Sequence, residues 1–314
     1  MLRSPKFNIF YLEIILILAV GLIPLLWYKE GFIALGHDIG FPLAPVDHFL
    51  DRLFTWTASV GPFGSNSVHQ MSGFFIHGLE AFLSSMGFSL IWVQKLTFIF
   101  WFVLPGISMY VLLRYLYPKR DDYPVRLAGS LFYMMNHYLL QAWTIAERTK
   151  FSIVTAIPIL ILVIIRVFQN RGSTFVNSTF FALTLFFLNG GEGIPLWGGM
   201  VVAVLVVTII LFSLSKERFL SKLKRLTLFV FLSFVLLAML NAYWLYPFLR
   251  SYEQTVTQRI ESGWGIAGVI AWSQTVSSNT SWINLLKLQG VPDWYDNPEH
   301  PYANTFFTSP ILIF

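Results

Sequence analysis

The sequence predicts an all-α protein built as a polytopic bundle of transmembrane helices. Three features of the composition lead to this fold class: 56% of the 314 residues are hydrophobic, only 12% are charged, and the mean hydropathy is +0.65. A chain of this composition has too little polar surface to cover a soluble globule of its size. Its apolar residues also form runs near the roughly 20 residues that cross a bilayer as a helix.

Seven apolar runs are predicted to span the membrane. They cover residues 10–28, 89–113, 126–143, 152–168, 175–189, 196–214 and 226–247. The first run is expected to remain as an anchor, not a cleaved signal peptide, because it is long and contains Glu13 and Pro24. Glu13 would be costly to expose to lipid, so it is expected to face the bundle. The chain is interpreted as a single membrane domain, 1–314, that stops at the start of a further span.

The distribution of Lys and Arg predicts the orientation of the spans. Of the 21 cationic residues, 13 fall in one alternating set of connecting segments and 8 in the other, and the set of 13 occupies the shorter segments. Positive charge in short loops marks the cytoplasmic side. We therefore expect a multi-pass cell-membrane protein with a cytoplasmic N-terminus and two long extracytoplasmic loops, 29–88 and 248–308. The bias also accounts for the pI of about 9.3 without a nucleic-acid partner.

The first long loop is predicted to contain two amphipathic helices. One begins after Pro45 with Asp47 as its capping residue, and the other spans residues 67–85. The apolar residues at helical spacing in these segments are Phe49, Leu50, Leu53, Phe54, Trp56, Met71, Phe74, Phe75, Leu79 and Phe82. Such helices lie along the membrane surface or pack on the bundle, and the two interpretations are compatible.

A carboxylate, Asp38, follows the first apolar run by about ten residues, in the stretch Gly36-His37-Asp38-Ile39-Gly40. In glycosyl transfer from a polyprenyl phosphate, the acceptor hydroxyl loses a proton as it attacks the anomeric carbon. A carboxylate within hydrogen-bond reach of that hydroxyl acts as the base. Asp38 is the candidate for this catalytic role. The same glycine-flanked composition also makes good turns without any catalysis, which is the competing interpretation.

The leaving phosphate in such a reaction needs cationic partners. The candidates on the same predicted side are Arg148 and Lys150, which follow Glu147, together with Arg250 and Arg259. Cationic side chains near span ends also commonly reach toward the interface for purely physical reasons. That explanation competes with substrate binding for each of these residues.

Glu192 interrupts the apolar sequence between the fifth and sixth predicted spans, within Asn189-Gly190-Gly191-Glu192-Gly193. Irregular backbone at membrane depth is tolerated where it lines a cavity, so Glu192 is a candidate cavity residue; a plain reentrant turn explains the pattern almost as well. No metal site is predicted. His37 and Asp38 offer two ligands, but no further ligand stands at a diagnostic spacing, and a divalent cation is left open as a cofactor.

The first loop resembles that of the GT-C superfamily of membrane glycosyltransferases. The residues that carry the resemblance are Gly36-His37-Asp38, Pro42, Pro45, Phe49-Leu50, Trp56, Phe63-Gly64, Gln70 and Gly73-Phe74. They are similar to the first periplasmic loop of the arabinofuranosyltransferases of mycobacterial cell-wall synthesis. The resemblance implies a GT-C-like bundle, a polyprenyl-phosphate sugar donor, transfer with inversion, Asp38 as the catalytic residue, and His37 and Gln70 among the substrate-binding residues. Ile39-Gly40 departs from the family pattern, so the sugar is left open.

Two functions from different classes follow from these observations. The first is an inverting glycosyltransferase that moves a hexose or pentose from a polyprenyl-phosphate donor to an extracytoplasmic glycan or lipid acceptor. The alternative is a non-catalytic lipid or glycan transporter, or a cell-envelope assembly protein. An enzyme would place Asp38 in one external cavity with Arg148, Lys150, Arg250 or Arg259, and this expectation separates the two.

Overall fold

The chain folds as a bundle of helices with one very short pair of strands. This computed structural model describes residues 9–27, 29, 31–33, 41–57, 65–66, 68–136, 138–139, 148–189, 194–215, 217–261, 270 and 274, with the backbone alone at 27, 56–57, 65–66, 68–70, 194–196 and 252–261. Two compact units can be distinguished. The first comprises Met1–Met134 and Ile145–Phe248, and the second comprises Met135–Thr144 and Leu249–Phe314.

The α-helices of the described residues are α1 (Ile9–Val20), α2 (Pro45–Asp51), α3 (Phe74–Ser85), α4 (Leu90–Leu116), α5 (Tyr123–Met135), α6 (Arg148–Phe168), α7 (Thr174–Phe187), α8 (Ile194–Leu214) and α9 (Phe219–Glu261). Short 3₁₀ helices cover Ile23–Trp27, Val68–Gly73 and Arg120–Asp122, and Trp56–Thr57 pairs antiparallel with Ser65–Asn66. The predicted all-α class is confirmed for this part of the chain.

Five helical stretches in the described residues are long and apolar enough to cross a membrane. They are Ile9–Leu26, Leu90–Leu116, Arg148–Phe168, Trp197–Leu214 and Phe219–Ser251. α5 and α7 have only 13 and 14 residues, or about 20 Å at the helical rise, which is short of a hydrocarbon core of about 30 Å. Five of the predicted spans are therefore found within the described ranges, and the run 175–189 contains a shorter helix. Residues 137 and 140–143 of the run 126–143 lie outside the described residues.

A polar residue stands at one boundary of each of these helices. α5 ends just before Asn136, whose side-chain oxygen accepts a hydrogen bond from the backbone N–H of Leu139 at 3.1 Å. α7 starts behind Ser173, whose hydroxyl oxygen caps the helix by accepting from the N–H of Val176 at 3.2 Å. The opposite deviation occurs in α9, which remains helical through 248–261, so the loop predicted at 248–308 begins as a helix.

A buried carboxylate ties α1 to α4 and α5. Glu13 is 1% exposed, and its two oxygens accept hydrogen bonds from the hydroxyl of Tyr110 at 2.9 Å and from Nε of Arg126 at 2.8 Å. Nη1 of Arg126 also donates to the carbonyls of Tyr117 at 2.8 Å and Lys119 at 2.6 Å. A charge in apolar surroundings needs this kind of compensation. The prediction that Glu13 faces the bundle is confirmed.

Basic segments that the sequence assigns to one side of the membrane meet at one end of the bundle. The guanidinium of Arg114, near the end of α4, lies 4.2 Å from the ring centre of Phe10 near the start of α1. Arg171, in the turn after α6, lies 5.5 Å from the ring centre of Tyr115. Arg225, in the first turns of α9, donates to a carbonyl near the end of α6 at 3.0 Å. We call this region the basic end.

α2 and α3 form a layer at the other end of the bundle, beside the start of α4. The two helices approach closely at Gly78, where a Cβ atom would lie 3.3 Å from Cε2 of Phe49. Phe75 of α3 packs edge-on against Trp101 of α4, with ring centres 6.3 Å apart. We call the two helices Pro45–Asp51 and Phe74–Ser85 the α2–α3 layer.

The helix starts within this layer differ from the predicted ones. Ala44 is the N-cap of α2 and Pro45 its first helical residue, so Asp47 lies inside the first turn and does not cap the helix. Proline is well suited to the first helical position because its fixed φ matches the helix and its missing N–H is not needed there. The second predicted helix divides into the 3₁₀ helix Val68–Gly73 and α3.

The buried face of α3 contains two polar residues. Its buried residues are Ile76, His77, Glu80 and Ala81, whereas Phe82 is 59% exposed. The exposed apolar residues on and beside the layer include Val46, Leu50, Leu53, Phe54, Phe82 and Met86. The sequence left open whether these apolar residues face the membrane surface or the bundle. The polar partners described below explain why Glu80 and His77 are buried.

We predict that Glu13→Leu lowers the free energy of unfolding by about 3 to 5 kcal/mol, because Arg126 then remains buried without its counter-charge. The double variant Glu13→Leu/Arg126→Leu should recover part of that loss. Unfolding in detergent, followed by circular dichroism, measures both effects. Glu217→Gln is the matched control, since the Glu217–Arg225 pair is partly exposed and should contribute at most about 1 kcal/mol. Equal losses in Glu13→Leu and Glu217→Gln would contradict the prediction.

Candidate functional site

An ion pair joins Glu80, on the buried side of the α2–α3 layer, to Arg148. Glu80 is in the second turn of α3 and has no exposed surface, and Arg148 is the first residue of α6 and is buried. Nη1 of Arg148 donates to Oε1 of Glu80. Neither charge is stable in such surroundings without the other. The pair therefore fixes α3 to the start of α6 across 68 residues of chain.

His77 contacts the second oxygen of the same carboxylate. Its Nδ1 lies 3.3 Å from Oε2 of Glu80, one turn along α3. Burial alone raises the pKa of Glu80, but the charge of Arg148 and the hydrogen bond from His77 outweigh burial and leave this pKa below its ordinary value. An ionised carboxylate only accepts hydrogen bonds, so Nδ1 of His77 carries the proton. Burial lowers the pKa of His77, and the hydrogen bond to Glu80 opposes this shift.

A second histidine extends the cluster onto α2. Nε of Arg52 donates to Nε2 of His48 at 2.7 Å, and the His48 ring lies 4.8 Å from the His77 ring in an edge-to-face arrangement. Because Nε2 of His48 accepts a hydrogen bond, this ring is neutral with its proton on Nδ1. Burial, followed by the positive charge of Arg52, lowers the pKa of His48 to about 4. We call Arg52, His48, His77, Glu80 and Arg148 the Glu80 cluster.

The net charge of the Glu80 cluster is positive. With both histidines neutral, these five side chains together carry two guanidinium charges and one carboxylate charge. Glu80 is unsuited to be a general base in this state because its lowered pKa keeps it a weak proton acceptor. The arrangement is instead suited to binding an anion.

Phe41 joins the cluster to the segment that contains Asp38. Its ring is 4% exposed, lies 5.5 Å from the guanidinium of Arg148, and packs edge-on against Phe98 of α4 with ring centres 6.4 Å apart. Phe41 follows Asp38 by three residues. The chain is thus held at the cluster immediately after the predicted catalytic residue.

Two further polar contacts hold the 3₁₀ helix that contains Gln70. Nδ2 of Asn189, directly after α7, donates to the carbonyl of Ser72 at 3.1 Å. The hydroxyl of Tyr243 on α9 donates to the carbonyl of Met71 at 3.1 Å. Asn189 also precedes Glu192, which lies in the glycine-rich segment, by three residues. The α2–α3 region therefore contacts the ends of α6 and α7 and one face of α9.

The structure brings some of the predicted site residues to this region. Arg148 lies within the Glu80 cluster, Lys150 is half-buried in the first turn of α6, and Gln70 lies in the 3₁₀ helix. Arg250, which is exposed, and Arg259 belong to α9 in the second unit. The remaining predicted residues, His37, Asp38, Glu147 and Glu192, lie outside the described residues.

Sequence reasoning did not select the cluster residues other than Arg148. A signal for them exists in their spacing: His77 and Glu80 are three apart, and His48 and Arg52 are four apart. Side chains at these spacings share one face of a helix. A carboxylate and a histidine on one face of an otherwise apolar helix indicate a polar partner elsewhere in the chain. The spacing does not identify that partner as Arg148.

We predict that the α2–α3 layer loosens as the pH falls from about 6.5 toward 4. The pKa of His48 is about 4 and that of His77 is lowered in the folded protein, whereas both are about 6.5 in an unfolded chain. The unfolded chain therefore binds more protons in this window, so the stability is complete above pH 6.5 and declines below it. Hydrogen exchange in 45–51 and 74–85, corrected for intrinsic rates, measures the change.

Two controls accompany this measurement. α8 contains no group that titrates in this window, so its protection should not depend on pH. His48→Gln keeps an acceptor for Arg52 and should remove a large part of the dependence. Unchanged protection of both segments between pH 7 and 4.5 would contradict the prediction.

Comparison with known proteins assigns no family. No protein-family model, curated protein or solved structure matches the chain. The geometry of the α2–α3 region and the chemistry of its residues are therefore the basis for a function.

Proposed function

We propose that this protein is an integral-membrane glycosyltransferase that transfers a sugar from a polyprenyl-phosphate donor to an extracytoplasmic glycan or lipid acceptor. One observation supports it best. Three residues that are close in sequence to candidate residues contact the region around α3. Phe41 follows Asp38 by three residues, Arg148 directly follows Glu147, and Asn189 precedes Glu192 by three residues. Described residues beside three separate candidate segments thus contact this region.

Chain connectivity extends this argument to Asp38. Three residues of chain span at most about 11 Å, so the contact between Phe41 and Arg148 limits how far the carboxylate of Asp38 can be from the Glu80 cluster. The same limit relates Glu192 to Asn189. A base near a net positive charge, at the end of an apolar bundle, is the combination that a lipid-phosphate donor requires.

In the proposed reaction Asp38 accepts the proton of the acceptor hydroxyl. The hydroxyl oxygen forms a bond to the anomeric carbon as the bond between that carbon and the phosphate oxygen breaks, and the polyprenyl phosphate leaves with the electron pair. Attack opposite the leaving group inverts the configuration. The guanidinium groups of Arg52 and Arg148 provide the positive field that favours the departing phosphate.

We predict that Asp38→Asn abolishes sugar transfer while membrane insertion stays normal, because the amide cannot accept the proton. Membranes containing the full chain are incubated with a panel of labelled polyprenyl-phosphate sugars, and transfer to endogenous acceptor is measured. Asp47→Asn is the matched control, since Asp47 is an exposed carboxylate in the same loop, and it should retain activity. Full activity of Asp38→Asn would refute the role of Asp38. Donor binding without transfer in the wild type would favour a non-catalytic lipid or glycan transporter.

The proposed orientation places the basic end in the cytoplasm and the α2–α3 layer outside. The chain has no cysteine, so single introduced cysteines report sidedness directly. We predict that Ser85→Cys reacts with a membrane-impermeant maleimide on intact cells, whereas Asp121→Cys, in the turn at the basic end, reacts only after permeabilisation. The reverse pattern would contradict the orientation.

A further inference from the structure

A groove runs along the bundle between α4, α6 and α7. Its volume is ≈ 430 Å³. One wall is formed by α4 from Phe100 to Val111, a rise of about 17 Å, and Ile159 of α6 lies in the facing wall. The two hydroxyl groups in the lining, on Ser108 and Thr155, donate to carbonyls of their own helices at 2.9 and 2.8 Å. The middle of the groove is therefore apolar.

At the basic end the lining of the groove contains two polar side chains, Arg166 and Asn177. Nε of Arg166 is buried and has no hydrogen-bond partner among the described residues. Asn177, which is 2% exposed, donates from Nδ2 to the carbonyl of Arg171 at 3.0 Å, while its Oδ1 has no partner within the described ranges. A Cβ atom on Gly172 would lie 3.2 Å from Nη2 of Arg166, so glycine leaves room for the guanidinium.

Several residues that line the groove are exposed on the side of the bundle. The rim residues Val111, Phe180 and Phe187 are 45%, 55% and 39% exposed, and they lie along the length of α4 and α7. In a membrane this face meets lipid. A cation and a buried amide oxygen at one end of a lateral apolar groove match the charge and polarity of a lipid with an anionic headgroup.

We infer that this groove binds one hydrocarbon chain of an anionic phospholipid, with the phosphate at Arg166 and a headgroup hydroxyl donating to Oδ1 of Asn177. The lipid comes from the leaflet at the basic end. This site is separate from the Glu80 cluster and independent of the proposed glycosyl transfer.

A lipid fits the groove better than a polypeptide segment does. A peptide would bring backbone N–H and C=O groups along the whole groove, and each needs a partner in apolar surroundings. The two polar side chains of the lining that lack complete hydrogen bonding among the described residues, Arg166 and Asn177, are both at one end. A hydrocarbon chain needs no polar partner in the middle, and its headgroup supplies both an acceptor and a donor at that end.

The test measures retention of phosphatidylglycerol by the full chain. The protein is reconstituted in nanodiscs of phosphatidylcholine with a minor fraction of phosphatidylglycerol, extracted, and analysed by native mass spectrometry. Arg166→Gln should reduce bound phosphatidylglycerol about tenfold, since a charge-assisted hydrogen bond is lost. Arg171→Gln removes a charge from the same end but leaves the backbone carbonyl that binds Asn177, and it should change retention less than twofold.

Equal loss in Arg166→Gln and Arg171→Gln would show general attraction to anionic lipid and overturn the site, as would unchanged retention in Arg166→Gln. Ile159→Trp fills the middle of the groove and should also lower retention, with its melting in phosphatidylcholine alone reporting whether it folds. If it does not fold, the comparison of the two arginine variants decides. Stabilisation of the wild type by inorganic phosphate equal to that by phosphatidylglycerol would also overturn the proposal.

Discussion

The cost of burying ionised side chains among apolar helices is the constraint on which this structure depends. Two carboxylates, Glu13 and Glu80, are almost wholly inaccessible, and each is paired with one arginine from a distant part of the chain. Removing the partner from such a pair costs far more than the pair itself contributes. The pairs therefore act mainly by excluding other arrangements of the helices. Glu13 determines where α1 sits at the basic end, and Glu80 determines where α3 sits at the other.

The pair at Glu80 explains an arrangement of the first loop that is otherwise puzzling. A layer of two amphipathic helices would ordinarily bury its apolar face, yet α2 and α3 expose Leu50 and Phe82 and turn His77 and Glu80 inward. Apolar residues gain little from packing on the bundle if the surrounding surface is already apolar. A buried charge, by contrast, is stable only where it contacts its counter-charge. The exposed apolar residues are then available to the membrane interface, as expected for helices that lie along its surface.

The sequence predicted the parts of this fold that depend on local pattern. Apolar length identified α4, α6 and α8 as spans, the cost of lipid exposure placed Glu13 in the interior, and charge bias grouped segments that meet at the basic end. It failed where the outcome depends on partners far along the chain. The hydrogen bonds of Arg148 with Glu80 and of Arg126 with Glu13 join residues 68 and 113 positions apart in sequence. The spacing of apolar residues along the chain gives no information about partners at such separations.

Arg148 shows how the same limit applies to the candidate site. A cation at the end of a predicted span is equally consistent with snorkelling and with phosphate binding, and the sequence left both open. Its pairing with Glu80 holds the guanidinium in one place against the ring of Phe41. A cation that is already ordered loses less conformational entropy when a ligand arrives than a free side chain does. Neutral His48 and His77 add no positive charge to the two guanidinium groups of the cluster, which avoids the mutual repulsion of four cations.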